Sequence, residues 1–158
     1  MEATLETLSA YEVERGKPMP DTIHAAVQAT LCGEFFVRYR RQFRALSELA
    51  LATVPDGTTP DVALYPVFEL DYAHRQARRT DAPLCCIEIQ SPSQSLEEMV
   101  AKTETYFRFG VKSCWVVLPA MRGVFVYDAP GHYQFFHGDD TLCDAALGIE
   151  LPLAAVFA

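Results

Sequence analysis

Residues 84–89 read Leu-Cys-Cys-Ile-Glu-Ile, an apolar run of strand length interrupted by one acidic side chain. A run of this kind is what a central strand covered on both faces looks like, because neither face alternates to polar residues. It commits the chain to a layer of structure on either side of a sheet. Glu88 then needs a reason to be there. A carboxylate buried without a partner costs several kcal/mol or more, so it should be paired with a cation, solvated or bound to a metal.

The rest of the chain supplies the layers. In 22–41 the apolar residues Ile23, Ala26, Val27, Leu31, Phe35 and Tyr39 recur at spacings of three and four, which predicts a helix with one buried face and Asp21 or Thr22 as its N-cap. Residues 43–54 alternate in part, a Pro-Asp-Gly turn follows, and 62–68 is a strand that Pro66 pushes toward an edge or a bulge. The charged stretch 69–82 reads as loop. A second helix is expected over 95–109, capped by Ser95, with Glu97 and Glu98 in its first turn and Gly110 at its end. Residues 114–118 are another buried strand, and 124–127 and 133–136 flank an Ala-Pro-Gly turn as a hairpin. The apolar tail packs as a last short element. Before all of this, 11–19 read as a strand or hairpin turning at Gly16, and 1–10 as a loose N-terminal segment. The fold class is α/β (α+β), a mixed sheet with few helices, in a single domain spanning 1–158.

With 158 residues, half of them apolar, the core stands without disulfide or metal staples. Thirteen Lys and Arg against 21 Asp and Glu leave a net charge of −8, the wrong sign for a protein that coats nucleic acid indiscriminately. A polyanion would have to meet a local patch. Arg38, Arg40, Arg41 and Arg44 form one candidate and Arg75, Arg78 and Arg79 a second, either of which reads equally well as a solvated face. The five cysteines are scattered with no CxxC spacing, and Cys85 and Cys86 read as buried small hydrophobes, so the expected location is the reducing cytoplasm. The N-terminus is acidic where a signal peptide would be basic, and no stretch is apolar enough for a membrane span.

Three features on consecutive elements carry possible chemistry. Asp61 follows Pro60 at the start of a strand, Glu88 and Gln90 share a face at the end of the central strand, and Lys102 lies on the next helix. Asp61 is 27 residues before Glu88, enough for an adjacent strand, so the two carboxylates can converge on a hard divalent ion such as Mg²⁺. Each also has a plain reading. Asp61 is then a Pro-Asp turn residue, Glu88 a salt-bridge partner of Lys102 or an arginine, and Lys102 a surface partner of Glu98 at i−4. The helix wheel centres its apolar face on Leu96, Met99, Val100, Thr103 and Phe107, with Lys102 on the margin. His24 reads as a surface histidine or as a general base or phosphate contact, and Glu48 as a solvent-facing strand residue or a third carboxylate. Trp115 and the aromatic hairpin read as core rather than as a base-stacking platform.

Together, Asp61, Glu88-x-Gln90 and a helix bearing Lys102 resemble the active-site pattern of the PD-(D/E)xK nuclease superfamily. More closely, the chain resembles the Uma-two family of bacterial restriction-endonuclease-like proteins. The matching text is Pro60-Asp61-Val62-Ala63, Ile87-Glu88-Ile89-Gln90-Ser91-Pro92-Ser93-Gln94-Ser95, Lys102 with Tyr106, Gly110-Val111 and Trp115-Val116-Val117-Leu118-Pro119. Weaker matches are Tyr11-Glu12 with Gly16, His24 and Ser47-Glu48. The resemblance implies a restriction-endonuclease-like core, a central mixed sheet flanked by helices with an added C-terminal hairpin. It also implies a metal-dependent endonuclease acting on DNA, with Asp61, Glu88 and the Ile89 carbonyl holding Mg²⁺ or Mn²⁺. The superfamily's usual lysine is Gln90 here, and Lys102 stands in for it, with Gln90 left to orient the attacking water. The alternative is a nuclease-fold binding or assembly module with a protein partner, for which Gln90 would be the trace of lost activity. The sequence also allows a homodimer.

Overall fold

The computed structural model describes residues 21–158. The expectations for 1–10 and 11–19, including Tyr11, Glu12 and Gly16, lie outside the described residues. Helix α1 (Thr22–Tyr39) is followed by strands β1 (Phe43–Ser47), β2 (Val62–Pro66) and β3 (Cys85–Ile89). Helix α2 (Leu96–Phe109) then leads to β4 (Ser113–Leu118), a 3₁₀ turn (Pro119–Met121), and the hairpin β5 (Gly123–Ala129) and β6 (His132–His137). The chain closes with β7 (Thr141–Asp144), β8 (Ile149–Pro152) and the short helix α3 (Leu153–Val156).

Strands β1 to β6 form one six-stranded sheet in chain order, and β7 and β8 pair as a separate hairpin. Within the large sheet β3 and β4 are parallel, joined by α2 as the crossover, and every other pair is antiparallel. The central run is buried at every position of β3, as its composition requires. Cys85, Ile87 and Ile89 face the layer made by α1 and the C-terminal elements, where Val27, Leu31, Phe35, Trp115, Leu142 and Leu153 complete the core. Cys86 and Glu88 face the other layer, beneath α2, with Leu51, Met99, Tyr106, Cys114 and Val116.

Sequence and structure differ in four places. The 43–54 run is strand only to Ser47, because Glu48 turns the chain with φ 53°. Pro66 does not put β2 on an edge: β2 lies between β1 and β3, and Pro66 is its last residue, beyond the end of the β3 ladder at Leu64. The tail is larger than one short element. The inner face of α2 is Met99, Thr103 and Tyr106, whereas Leu96 is exposed. Lys102 is partly exposed beside that stripe, on its margin as the wheel places it, and from there its ammonium reaches Glu88.

Trp115 is core, as its setting in β4 predicts, and its indole N–H donates to the buried Asp144 carboxylate at 2.8 Å. The Ser113 hydroxyl donates to the same oxygen, which pins β7 to β4. Gly110 ends α2 at φ 119°, a conformation that favours glycine, and its N–H returns to the Tyr106 and Phe107 carbonyls.

Candidate active site

The β2–β3 ladder stops at Val62 opposite Ile87, and extending it by one residue sets Asp61 opposite Glu88. Extending β1–β2 likewise sets Glu48 opposite Asp61, and the Glu48 N–H donates to the Asp61 carbonyl at 3.1 Å. In register, one row therefore crosses the sheet through Glu48, Asp61, Glu88, Val116, Phe125 and Phe135. Its three acidic members are consecutive, at the ends of three adjacent strands.

Asp61 is completely buried, so it is no ordinary Pro-Asp turn residue. The Ile89 N–H projects toward β2 where no strand residue meets it, and Asp61 Oδ2 accepts it at 2.7 Å. The same oxygen lies 3.2 Å from Nε2 of His24. His24 is not a surface histidine: it is 2% exposed, on the α1 stripe with Val27 and Leu31. Asp21 caps that helix by accepting the His24 N–H at 2.8 Å, which fixes the turn from which the imidazole reaches Asp61.

Glu88 is 2% exposed and held from above by α2. The Tyr106 hydroxyl donates to one carboxylate oxygen, and Lys102 Nζ lies 3.6 Å from the other. Burial, reinforced by the neighbouring Glu88 charge, pushes the Tyr106 phenol well above its ordinary range, so it stays a donor throughout the physiological range. The ion pair of Lys102 is thus with Glu88 and not with Glu98, four residues away on its own helix. A cation beside a buried carboxylate offsets a desolvation cost that a surface pair never meets.

Gln90 continues the β3–β4 ladder through its N–H to the Val117 carbonyl at 2.9 Å. Its side-chain amide donates to the Gln94 carbonyl at 3.0 Å, while Gln94 accepts the Ser91 N–H at 2.9 Å, so the matched Gln-Ser-Pro-Ser-Gln segment is a closed turn leading into α2. Glu48 is not a solvent-facing strand residue but a half-buried one just past β1, in left-handed backbone geometry. The arginines are largely engaged with their own neighbours. Arg38 pairs with Glu34 at 2.6 Å, Arg40 lies over Phe36, and Arg44 reaches the Phe68 carbonyl at 3.2 Å. Arg79 makes two bonds to Asp81 and covers the rings of Tyr65 and Phe68. Arg41 is exposed.

The structure brings Asp61, His24 and the Ile89 main chain together, and Glu88, Lys102 and Tyr106 together. Two of these contacts were missed in the sequence. Tyr106 sits one helical turn after Lys102, and His24 falls three residues before Val27 on the buried face; either spacing was a usable signal.

No curated protein matches the chain. Among solved structures it is similar to the crystal structure of a putative nuclease belonging to DUF820 from Anabaena variabilis ATCC 29413, with a TM-score of 0.75 and 24% identity over 89% of this chain and 83% of that one. At that identity the likeness is one of fold. Residues 6–154 match the model of the family Uma2, described as "Putative restriction endonuclease". That match spans every element that carries the acidic row and its cations, and the chain belongs to the Uma2 family.

Proposed function

We propose that the protein is a metal-dependent phosphodiesterase acting on DNA. The observation that carries this reading is one buried carboxylate at each of two adjacent strand ends, Asp61 and Glu88, with the Lys102 ammonium beside Glu88. Two carboxylates and a main-chain carbonyl are hard oxygen donors, suited to an ion that takes one or two carboxylates and fills its shell with water and phosphate oxygens. Among the described residues no three His, Cys, Asp or Glu side chains form a metal-holding cluster, so main-chain, water and phosphate oxygens would have to complete the shell. Asp61, Glu88 and the Ile89 carbonyl would hold it. When bound, such an ion supplies an activated water and neutralises charge on the scissile phosphate.

The chain's own residues do the rest. Asp61 is fixed by the Ile89 N–H and His24, so it is preorganised and need not order on binding. Lys102 supplies the cation that Gln90 lacks and stabilises negative charge developing on phosphorus. Tyr106 holds the Glu88 carboxylate in orientation. With one N–H of its side-chain amide given to the Gln94 carbonyl, Gln90 keeps its carbonyl oxygen and its second N–H for a water.

The test is cleavage of varied DNA with Mg²⁺ or Mn²⁺ by wild type, Asp61→Asn and Lys102→Met. Loss of one electrostatic stabiliser lowers turnover by about 10²–10³, so Lys102→Met should fall by that factor with DNA binding retained. No cleavage by wild type under any of these conditions sinks the nuclease reading in favour of a binding module.

A further inference from the structure

The carboxyl ends of β3 and β4 open on a groove of about 630 Å³, lined by Asp21, Ile23, Gln90, Pro92, Pro119 and Arg122 among others. Ligands of open α/β sheets bind outside the carboxyl ends of parallel strands, and β3 and β4 are the parallel pair. Two of its lining residues lead by the chain to the acidic site. Gln90 follows Glu88 by two residues, and Asp21 caps the turn that carries His24 to Asp61.

Arg122 is the cation of this groove. It is exposed, and its side chain makes no hydrogen bond or ion pair among the described residues, unlike Arg38, Arg44 and Arg79. Its main chain is anchored at both ends, the N–H to the Pro119 carbonyl at 3.0 Å and the carbonyl from the Gly138 N–H at 3.2 Å. Between those anchors it has φ 45°, the left-handed conformation that glycine adopts without strain. A residue other than glycine in this conformation carries a backbone cost, of the kind found at binding sites.

We propose that Arg122 binds the phosphate next to the scissile one, and that the Ile23, Pro92 and Pro119 walls seat the sugar and base between them. This rests on the nuclease reading and deepens it: the groove takes one nucleotide of a strand whose reacting phosphate lies at Asp61 and Glu88. Asp21 is the carboxylate of the same groove; one of its oxygens accepts the His24 N–H as the α1 cap, and no ion pair joins it to Arg122 among the described residues.

The test is binding of a short fluorescein-labelled single-stranded oligodeoxynucleotide, followed by anisotropy across a salt series in EDTA, by the full-length wild type, Arg122→Gln, Arg122→Gly and Arg122→Lys. The expected result is a Kd about tenfold weaker for the Gln and Gly variants, the scale of one charged hydrogen-bonding contact, with partial rescue by Lys. The slope of log K against log salt should fall by about 0.7, the value for one phosphate on a single strand. Arg122→Gly relieves the backbone, so it should melt no lower than wild type while binding more weakly, which separates a lost contact from a damaged fold. Affinity and slope equal to wild type in both variants overturn the subsite, and so does an absence of binding by wild type. If binding depends on Arg122 but wild type cleaves nothing, the subsite stands and the proposed reaction falls.

Discussion

Glu88 sets the terms for its neighbours. A carboxylate 2% exposed beneath a helix is tolerable because a hydroxyl and an ammonium meet it from that helix. The sequence allowed Lys102 either Glu88 or Glu98 as its partner, and with Glu98 alone Lys102→Met would have been nearly silent for folding. With Glu88 as the partner, the variant should lose about 1–3 kcal/mol of stability. Adding Glu88→Gln should return part of that loss, because the charge Lys102 compensates is then gone. Urea melts of the two single variants and the double variant check this; strict additivity would show that the pair is energetically inert. At this scale the sequence was readable where a residue broke a pattern, as Glu88 breaks its apolar run. It was half readable where a polar residue fitted the pattern, as His24 does on the α1 stripe: the spacing marks the buried face, but the acceptor that makes burial of a histidine tolerable comes from a distant strand.

Helix α2 carries both Lys102 and Tyr106, so its start controls where they land. Ser95 accepts the Glu98 N–H at 3.1 Å, and Glu97 and Glu98 lie in the first turn where the helix dipole favours negative charge. Ser95→Ala should cost about 1 kcal/mol. That corresponds to a fall of roughly 2–4 °C in melting temperature for a chain of this size, measurable by circular dichroism. The elements themselves were legible: α1, α2, the buried strands and the β5–β6 hairpin follow from periodicity, caps and turn residues. Pairings were not. Pro66 in an interior strand and the separate β7–β8 hairpin depend on which strand ends where, and that is decided by partners remote in sequence.

Across the molecule, buried weak acids set the response to alkali. Burial raises the thiols of Cys85, Cys86 and Cys114, and it raises the Tyr106 phenol; the Tyr65 phenol is pushed up to about 12. These groups ionise earlier in the unfolded chain, near about 8.5 for a thiol and about 10 for a phenol. Their contribution is therefore whole below those values, and it declines as pH climbs through them because the unfolded state binds fewer protons. Melting temperature should be level up to about pH 8 and fall above about pH 9, and Tyr106→Phe should flatten the part of the decline above about pH 10. A melting temperature constant to pH 10.5, about two units above the usual thiol value, would contradict the burial of these groups.

The chain's single tryptophan sits on the far side of the sheet from α2, fully enclosed and with Phe35 at 5.6 Å. Its neighbours belong to α1 and to the C-terminal hairpin through Asp144. Intrinsic fluorescence will therefore register whether those segments remain docked, shifting to the red when they leave. It is poorly placed to notice a divalent ion arriving at Glu88 beneath α2, or an oligonucleotide in the groove whose lining does not include Trp115. A titration followed by tryptophan emission would look flat even with every molecule loaded, so occupancy must be read from an extrinsic label or from heat.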